Sequence, residues 1–358
     1  MMTFSRIFAV LILSCSAMAA TILVDPSGAG DHTTINGALA ASVSGDIIQI
    51  MPGVYPEFID ITHSITLDAV GGRPSVTIDG ESIRRIMNIG GQIDVTLRGL
   101  RFARAHGVDP SALLIWQQAT VLVDDCEFVD NVTIGSNAVH VRHLGTSATF
   151  VACDFVRNSC SVHSAALSLS NDAYVLLDDC MIADNTSLGN CGAVNTLGAH
   201  LDVMGCLFLR NSSPAGAGAL LYQSSVGVVS GNTFHDNSGP GSGSVRLDSF
   251  VTFTHNIVTS DRGGAGLTLN TTVIRSCNLY YDNADGPVED ESLGELEINA
   301  DPLYCDYTVD DYQLCMISPA LPGVGGCGII GAFGQGCANC GPIPNENMNW
   351  GDLKRSFR

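Results

Sequence analysis

Nearly the same eight residues occur three times in this chain. DDCEFVDN covers residues 124–131, VACDFVRN covers 151–158 and DDCMIADN covers 178–185. The asparagine that closes each copy recurs with spacings of 27, 27, 26 and 26, at Asn131, Asn158, Asn185, Asn211 and Asn237. Units this short cannot bury an apolar face alone, so a regular repeat of them predicts a fold in which successive units stack on one another.

Apolar residues alternate with polar ones inside each unit. Val121 and Val123 precede a corner at residues 124–125, and Cys126 and Phe128 follow it with the phase slipped by one. This period of two is typical of β-strands, and Gly, Asn, Ser and Asp between the runs favour turns. Coils of about three short strands, stacked about 4.8 Å apart, satisfy the backbone of every coil. The repeat is too short for a propeller blade and lacks the leucine-rich pattern, which leaves an all-β parallel β-helix.

Stacked coils place equivalent residues on top of one another. The aligned asparagines are predicted to be structural, because stacked amides can hydrogen-bond at a bend and Asn tolerates left-handed backbone. The aligned phenylalanines are predicted to be core. The aligned cysteines are predicted to be buried thiols that pack as small apolar groups, since later units put Asn232 and Asn256 at the same place. These thiols are Cys126, Cys153, Cys180 and Cys206.

The N-terminal segment carries an export signal. Arg6 precedes an apolar run from Ile7 to Leu13, and Ala17-Met18-Ala19 resembles a cleavage site, so residues 1–19 are predicted to be a signal peptide. Lipidation at Cys15 is the alternative. We expect a secreted or cell-surface protein of bacterial origin, without a transmembrane span in the mature chain.

Residues 20–300 are predicted to form the β-helix with an N-terminal cap. Residues 32–46, HTTINGALAASVSGD, predict an amphipathic helix capped by Thr33 or Thr34. Its apolar face would consist of Ile35, Ala38, Leu39 and Val43. Such a helix would cover the first coil, whose strand edges would otherwise remain unpaired.

The opening of the chain resembles a known superfamily. Residues 22–61, ILVDPSGAGDHTTINGALAASVSGDIIQIMPGVYPEFIDI, are similar to the N-terminal region of right-handed β-helix proteins of the pectin lyase-like superfamily, and GVYPE at 53–57 resembles the G-x-Y-x-E of pectin methylesterases. The esterase motifs G-x-V-D-F-I-F-G and G-R-x-W are absent, as are those of polygalacturonases. The resemblance therefore implies a right-handed parallel β-helix and no particular activity. Residues 299–337 look like the closing segment of exported bacterial β-helix proteins.

Cysteines concentrate in the closing segment. Residues 301–340 are predicted to be a disulfide-rich cap, with bonds joining Cys305 to Cys315 and Cys327 to Cys337. Cys160 and Cys191, in successive loops, are predicted to pair with each other. Zinc bound by the clustered cysteines, including Cys337-Ala-Asn-Cys340, is the alternative. Residues 341–358 are predicted to be a linker and a basic amphipathic tail, which is either an attachment signal or a terminus without a role.

The charge limits the function. The net charge is −20 and the one lysine is Lys354, which disfavours binding to nucleic acid. Asp125 and Asp179, at equivalent corners two coils apart, are the candidate metal ligands, and calcium is the possible cofactor if the chain is a lyase or hydrolase of acidic polysaccharide. We expect a monomeric, non-catalytic protein without a cofactor that binds glycan or cell envelope on its strand face. The divergent lyase or hydrolase is the alternative.

Overall fold

The computed structural model describes residues 19–108, 110–135, 137–271, 273–294, 296–322 and 326–338. In these residues the chain winds into successive coils whose strands form three long parallel sheets. One coil runs from the first sheet at Thr120–Asp124 to the second at Glu127–Val129, and then to the third at Val139–Arg142. The predicted all-β parallel β-helix is confirmed.

The first and second sheets each contain eleven strands among the described residues. The strands of the first sheet are Thr21–Val24, Ile47–Ile50, Ile65–Ala69, Asp94–Arg98, Thr120–Asp124, Ser147–Val151, Tyr174–Asp178, His200–Met204, Gly227–Ser230, Val251–Thr254 and Ile274–Ser276. Those of the second are Gly53–Tyr55, Val76–Asp79, Leu100–Ala103, Glu127–Val129, Asp154–Val156, Met181–Ala183, Leu207–Leu209, Thr233–His235, Ile257–Thr259, Leu279–Tyr281 and Ile298–Asn299.

Over the same described ranges, the third sheet has nine strands and a short fourth sheet has four. The third consists of Ile59–Ile61, Met87–Gly90, Leu113–Trp116, Val139–Arg142, Leu167–Ser170, Val194–Leu197, Leu220–Gln223, Val245–Asp248 and Leu267–Leu269. The fourth consists of His106–Gly107, Val132–Thr133, Ser159–Cys160 and Thr186–Ser187. A small separate sheet near the C-terminus contains Tyr304–Asp306, Asp311–Cys315 and Gln335–Cys337, with a 3-10 turn at Tyr307–Val309.

The predicted corner has a definite backbone conformation. Asp125, Ala152 and Asp179 all adopt positive φ, at 54°, 53° and 52°. A second corner places a residue with positive φ directly before each ladder asparagine, as at Asp130 with φ 55°. A left-handed residue reverses which side of the chain faces inward, and this reversal is the phase slip seen in the sequence.

The interior consists of stacked side chains. Phe102, Phe128 and Phe155 are buried, and their ring centroids lie 4.8 and 5.0 Å apart in successive coils. At the adjacent corner each buried asparagine donates from Nδ2 to Oδ1 of the next, over 2.9–3.0 Å, through Asn131, Asn158, Asn185, Asn211 and Asn237. The amides therefore satisfy one another inside a core that water does not reach.

A short helix, Ile35–Ala41, covers the first coil. Thr34 is its N-cap, and the threonine side chain accepts a hydrogen bond from the backbone of Gly37. Ile35, Ala38 and Leu39 are buried, as the pattern predicts. Val43 lies beyond the end of the helix and is 59% exposed, so its assignment to the apolar face is wrong.

The small C-terminal sheet, which we call the cap, packs on the outer face of the second sheet. Tyr312 contacts Leu207 and Leu209 of the coils, while Leu314 packs with Ile257 and Leu279. Arg210 connects the coils to the cap, because it forms ion pairs with Asp184 of the coils at 2.8 Å and with Asp310 of the cap at 2.7 Å. The cap thus covers the apolar outer side of the last coils.

The disulfides differ from the predicted pairs. Cys305 bonds to Cys337, with Cα atoms 5.9 Å apart, and Cys327 bonds to Cys277 of the coils, with Cα atoms 5.7 Å apart. Cys315 is also in a disulfide. The prediction joined cysteines close in sequence, whereas the fold brings together residues 32 and 50 positions apart. Cys305, Cys327 and Cys337 are therefore not zinc ligands, and Cys340 lies outside the described residues.

Cys160 and Cys191 are buried thiols and do not bond to each other. Strand pairing aligns Cys160 with Ser187, and Cys191 instead lies opposite Ala217 of the next coil. The two cysteines occur in successive loops but at different positions within the loop, which explains why the predicted pair does not form.

Candidate functional site

An arginine forms ion pairs at the acidic corner of the eight-residue repeats. Arg73 is largely buried, and its guanidinium contacts Asp125 at 3.0 Å and Asp154 at 2.7 Å. Asp179 lies two rungs, about 10 Å, from Asp125, with Ala152 between them. No three His, Cys, Asp or Glu side chains among the described residues are grouped to hold a metal ion. The observed bonds of Asp125 thus attach the 70–75 loop to the coils, and a calcium role for this corner stays a prediction.

The GVYPE segment has an evident structural role. The Glu57 carboxylate accepts hydrogen bonds from the backbone of Ile35 at 2.8 Å and Asn36 at 2.9 Å. These are the first N–H groups of the N-terminal helix Ile35–Ala41. A carboxylate there compensates donors that the helix cannot pair itself. Tyr55 is buried and donates to the carbonyl of Met51 at 2.7 Å. The motif therefore fixes the helix on the first coil.

The outer face of the third sheet carries a large aromatic side chain. Strand pairing places one residue from each coil in a column, which we call the outer column: Gly90, Trp116, Arg142, Ser170, Leu197, Gln223, Asp248 and Asn270. A Cβ on Gly90 would lie 2.2 Å from Nε1 of Trp116. The indole can lean over the neighbouring rung because Gly90 has no side chain.

Polar groups surround the indole. The Arg142 guanidinium carbon lies 5.7 Å from the ring centroid of Trp116, and the His143 ring centroid lies 6.1 Å away. The contact with Arg142 is within the range of a cation–π interaction. One rung further, Ser170 exchanges a 3.1 Å hydrogen bond with Nε2 of His140. The indole is partly exposed and is bordered by Arg142 and His143 of the following coil, so it forms an apolar surface beside hydrogen-bonding groups.

The chemistry of the outer column is suited to binding. It presents indole, guanidinium, hydroxyl and amide groups along one line of the sheet. Its one carboxylate, Asp248, accepts from Arg246 at 3.0 Å and from Asn270. That carboxylate therefore serves to order neighbouring side chains.

The ladder thiols are poor nucleophiles. Burial raises the pKa of Cys126 to about 12 and that of Cys153 well above its ordinary range. A thiol must ionise to attack a substrate or bind a metal, and these thiols remain protonated at neutral pH. Sequence reasoning assigned them a packing role, and their environment is in accord with it.

Sequence reasoning missed Trp116. The repeat constrains the inward residues, and Trp116 faces outward at the end of Leu113–Trp116. The available signal was alternation, since Leu113 and Ile115 are core, which places residue 116 on the outer face. A large aromatic residue at an outward position is a better indicator of a binding surface than the corner aspartates.

Comparisons with known proteins agree with the architecture. Residues 111–283 match the family described as "Right handed beta helix region". No curated protein matches the chain significantly.

Three solved structures illustrate the likeness. Pectate lyase Pel9A is 12% identical, with a TM-score of 0.47 over 89% of this chain and 97% of its own. A rhamnogalacturonan lyase is 12% identical, with a TM-score of 0.38 over 95% and 98%. A pectin methylesterase from Aspergillus niger is 13% identical, with a TM-score of 0.36 over 85% and 95%.

These structural likenesses bring no activity to this chain. In these three structures the TM-scores are below 0.5 and the identities are 13% or less, so the fold assignment rests on the strand pairing. The stacked three-sheet coils thus define a parallel β-helix, and residues 111–283 within it are similar to the family described as a right-handed β-helix region.

Proposed function

We propose that this protein is an extracytoplasmic glycan-binding β-helix and that Trp116 is the anchor of its binding surface. The observation that carries the proposal is the partly exposed indole, leaning over Gly90 and flanked by Arg142 and His143 on the flat outer face of the third sheet. A sugar ring has an apolar face that can pack on an indole and hydroxyls at its rim that need polar partners. The outer column offers both kinds of group side by side.

The geometry of a solenoid supports an extended ligand. Equivalent positions repeat about every 4.8 Å, so the outer column is a straight row of side chains along the stacking direction. A polysaccharide can contact several rungs at once, which adds weak contacts without requiring a deep pocket.

An extracytoplasmic location is part of the proposal. The predicted signal peptide at residues 1–19 and the disulfides at Cys277–Cys327 and Cys305–Cys337 support it, because disulfides persist in oxidising compartments. No helix in the described ranges is long and apolar enough to cross a membrane. Attachment to the cell surface is proposed to use the glycan contact.

The test is a binding panel of purified polysaccharides, acidic and neutral, measured by affinity electrophoresis. We expect retardation by at least one polymer, weakened roughly tenfold or more by Trp116→Ala, because a stacked aromatic anchor contributes about 1–3 kcal/mol. The matched control must lie outside the outer column. A column residue such as Leu197 could itself touch the polymer, so the control is Tyr174→Ala, which removes a 37% exposed aromatic side chain from the first sheet, outside the outer column, and should leave retardation unchanged.

The same samples also test the catalytic alternative. Incubation with each polysaccharide, with and without calcium, should yield neither unsaturated products nor new reducing ends. Turnover abolished by Asp125→Ala or Asp179→Ala would replace the binding proposal with a lyase or hydrolase. Equal retardation of the wild type and Trp116→Ala would remove Trp116 from the account.

A further inference from the structure

A cavity of about 440 Å³ lies between the last coils and the cap. One wall comes from the outer side of strands Thr233–His235, Ile257–Thr259 and Leu279–Tyr281, and the other from cap residues 301–308. We call it the cap cavity. The outer column is on the third sheet, whereas these strands belong to the second, so the glycan proposal makes no use of this space.

Aromatic rings form much of the lining. The His235 ring lies 5.9 Å from that of Tyr304 and 5.5 Å from that of Tyr307, measured between centroids. Tyr281 lines the same cavity and is 40% exposed, and Tyr307 is 55% exposed. His235 is buried, and its Nδ1 exchanges a 2.9 Å hydrogen bond with Thr259. Two tyrosine rings therefore remain accessible to a ligand beside a fixed imidazole.

The imidazole of His235 is uncharged under ordinary conditions. Burial, assisted by the positive charge of Arg210, lowers the pKa of His235 to about 4. At neutral pH the ring adds aromatic surface to the cavity and no positive charge.

The remaining polar lining is negative. Asp282, Asp301 and Asp306 line the cavity, and its described lining includes no arginine or lysine. Asp301 and Asp306 are positioned by backbone donors, Leu303 at 2.8 Å and Thr308 at 3.1 Å. Asp282 sits at a corner with φ 54° and forms no hydrogen bond or ion pair with another described residue.

The nearby arginines are already paired. Arg210 binds Asp184 and Asp310, and Arg262 binds Asp236. Apart from Asp184, these residues line a neighbouring groove. That groove shares His235, Ser260, Asp282, Tyr307 and Thr308 with the cap cavity. The arginine charges are matched within that groove, which leaves the three carboxylates of the cap cavity without a cationic partner.

We propose that the cap cavity binds an organic ammonium ion, such as a quaternary amine or the protonated amine of an amino sugar or a lysine side chain. Tyr281 and Tyr307 would contact the cation with their ring faces, and Asp282 would supply the opposite charge. Aromatic faces and carboxylates both attract a bulky, weakly hydrated cation. The protein's charge of −20 raises the local concentration of such ligands.

A metal ion is the poorer match for this lining. Calcium and magnesium need several oxygens converging on one point, and no group of three candidate ligands in the described part of the chain does so. The ring faces of Tyr281 and Tyr307 offer a metal ion no ligand atoms, whereas they suit a cation that carries methyl or methylene groups.

The experiment is isothermal titration calorimetry of the full chain with choline at low ionic strength, compared with its uncharged isostere in which tert-butyl replaces trimethylammonium. We expect measurable binding of choline and none of the isostere. Tyr307→Ala should weaken choline binding roughly threefold to thirtyfold, Tyr307→Phe should retain it, and Asp282→Asn should weaken it. Thermal melts of each variant confirm folding.

Equal binding of choline and its isostere would overturn the proposal, since the cavity would then select apolar shape. Absence of binding by both at millimolar concentration would overturn it too. Choline binding that survives both Tyr307→Ala and Asp282→Asn would place the cation elsewhere. Trp116→Ala is the matched control and should bind choline normally, so failure here and failure of the glycan proposal remain distinguishable.

Discussion

In the coils between residues 120 and 210, the interior position after the first corner is cysteine, whereas in the coils after residue 230 it is asparagine. Cys126, Cys153, Cys180 and Cys206 are fully buried and form a stack of thiols. In the later coils each amide donates to the next, from Asn232 to Asn256 at 3.0 Å and from Asn256 to Asn278 at 3.2 Å. The two segments meet where the backbone of Cys206 donates to Asn232 at 2.7 Å.

The difference teaches what each kind of stack requires. Each thiol packs as a small apolar group, so a stack of thiols can stop at any coil. An amide ladder has donors at its end that need an acceptor inside the core. Glu297, whose side chain is buried, accepts from Asn278 at 2.8 Å and from the Tyr280 hydroxyl at 3.2 Å, and it faces Arg275 at 3.5 Å. At the position after the first corner, the later coils thus depend on a terminating acceptor, whereas the thiol stack of the earlier coils needs none.

The largest expected effect comes from removing that terminator. Glu297→Ala leaves the buried donors of Asn278 and Tyr280 without their acceptor and removes the buried carboxylate beside Arg275, which should lower the free energy of unfolding by about 3–5 kcal/mol. Glu291→Ala removes the half-exposed partner of the same Arg275 and should cost less than about 1 kcal/mol. Urea denaturation followed by circular dichroism measures both, and equal losses would show that Glu297 does not terminate the ladder.

A smaller effect should separate the two stacks themselves. Asn256→Ala removes the acceptor of the Asn232 backbone and interrupts the amide ladder, at a cost of about 2–3 kcal/mol. Cys153→Ala removes one small apolar atom group from the thiol stack and should cost about 1 kcal/mol. If the two variants are equally destabilised in the same urea titration, the stacks do not differ as described.

Asp261 offers a test through pH. It takes the place of an asparagine after Asn237, accepting from its backbone at 3.2 Å and from Ser244 at 2.7 Å. Burial raises the pKa of Asp261 well above its ordinary range, and Oδ2 has no hydrogen-bond partner among the described residues. Because the folded pKa exceeds the unfolded one, its contribution is fully present below the unfolded pKa and is lost as pH rises towards the folded value.

Asp261→Asn should therefore stabilise the protein at pH 8 by about 1 kcal/mol or more and change little at pH 4. The measurement is the difference in unfolding free energy between wild type and variant at the two pH values, which cancels the other titrating groups. Asn237→Asp adds a second buried acid and should destabilise the protein at pH 8. A variant that gains as much at pH 4 as at pH 8 would contradict a raised pKa for Asp261.

The mildest test is chemical labelling. Each thiol of the stack is fully buried, and burial raises the pKa of Cys126 to about 12. We expect no alkylation by iodoacetamide at pH 8 in the native state and full alkylation of Cys126, Cys153, Cys180 and Cys206 in urea. Mass spectrometry of peptides provides the measurement, and native labelling of Cys153 would show that the thiol stack opens to solvent.

The repeat was sufficient to predict the fold because stacking makes the same demand of every coil. Spacing of Asn131 and its equivalents located the corners, and alternation located the inward residues. Disulfide partners were not predictable, since Cys277 and Cys327 are brought together by the docking of the cap, which no local pattern encodes. The candidate surfaces were not predictable either, because outward side chains are not constrained by the repeat. The surroundings of Trp116 and the cavity wall at Tyr307 are defined only once the coils and the cap are placed next to one another.

Trp116 is proposed to contact a glycan, and the fluorescence of this tryptophan tests the contact most directly. The chain has two tryptophans, so Trp350→Phe leaves Trp116 as the sole indole. Titration of this variant with the polysaccharide retained in the binding panel should change the intensity or the wavelength of the emission saturably, with the midpoint matching the retardation. Emission that stays constant while the polysaccharide demonstrably binds would contradict the account.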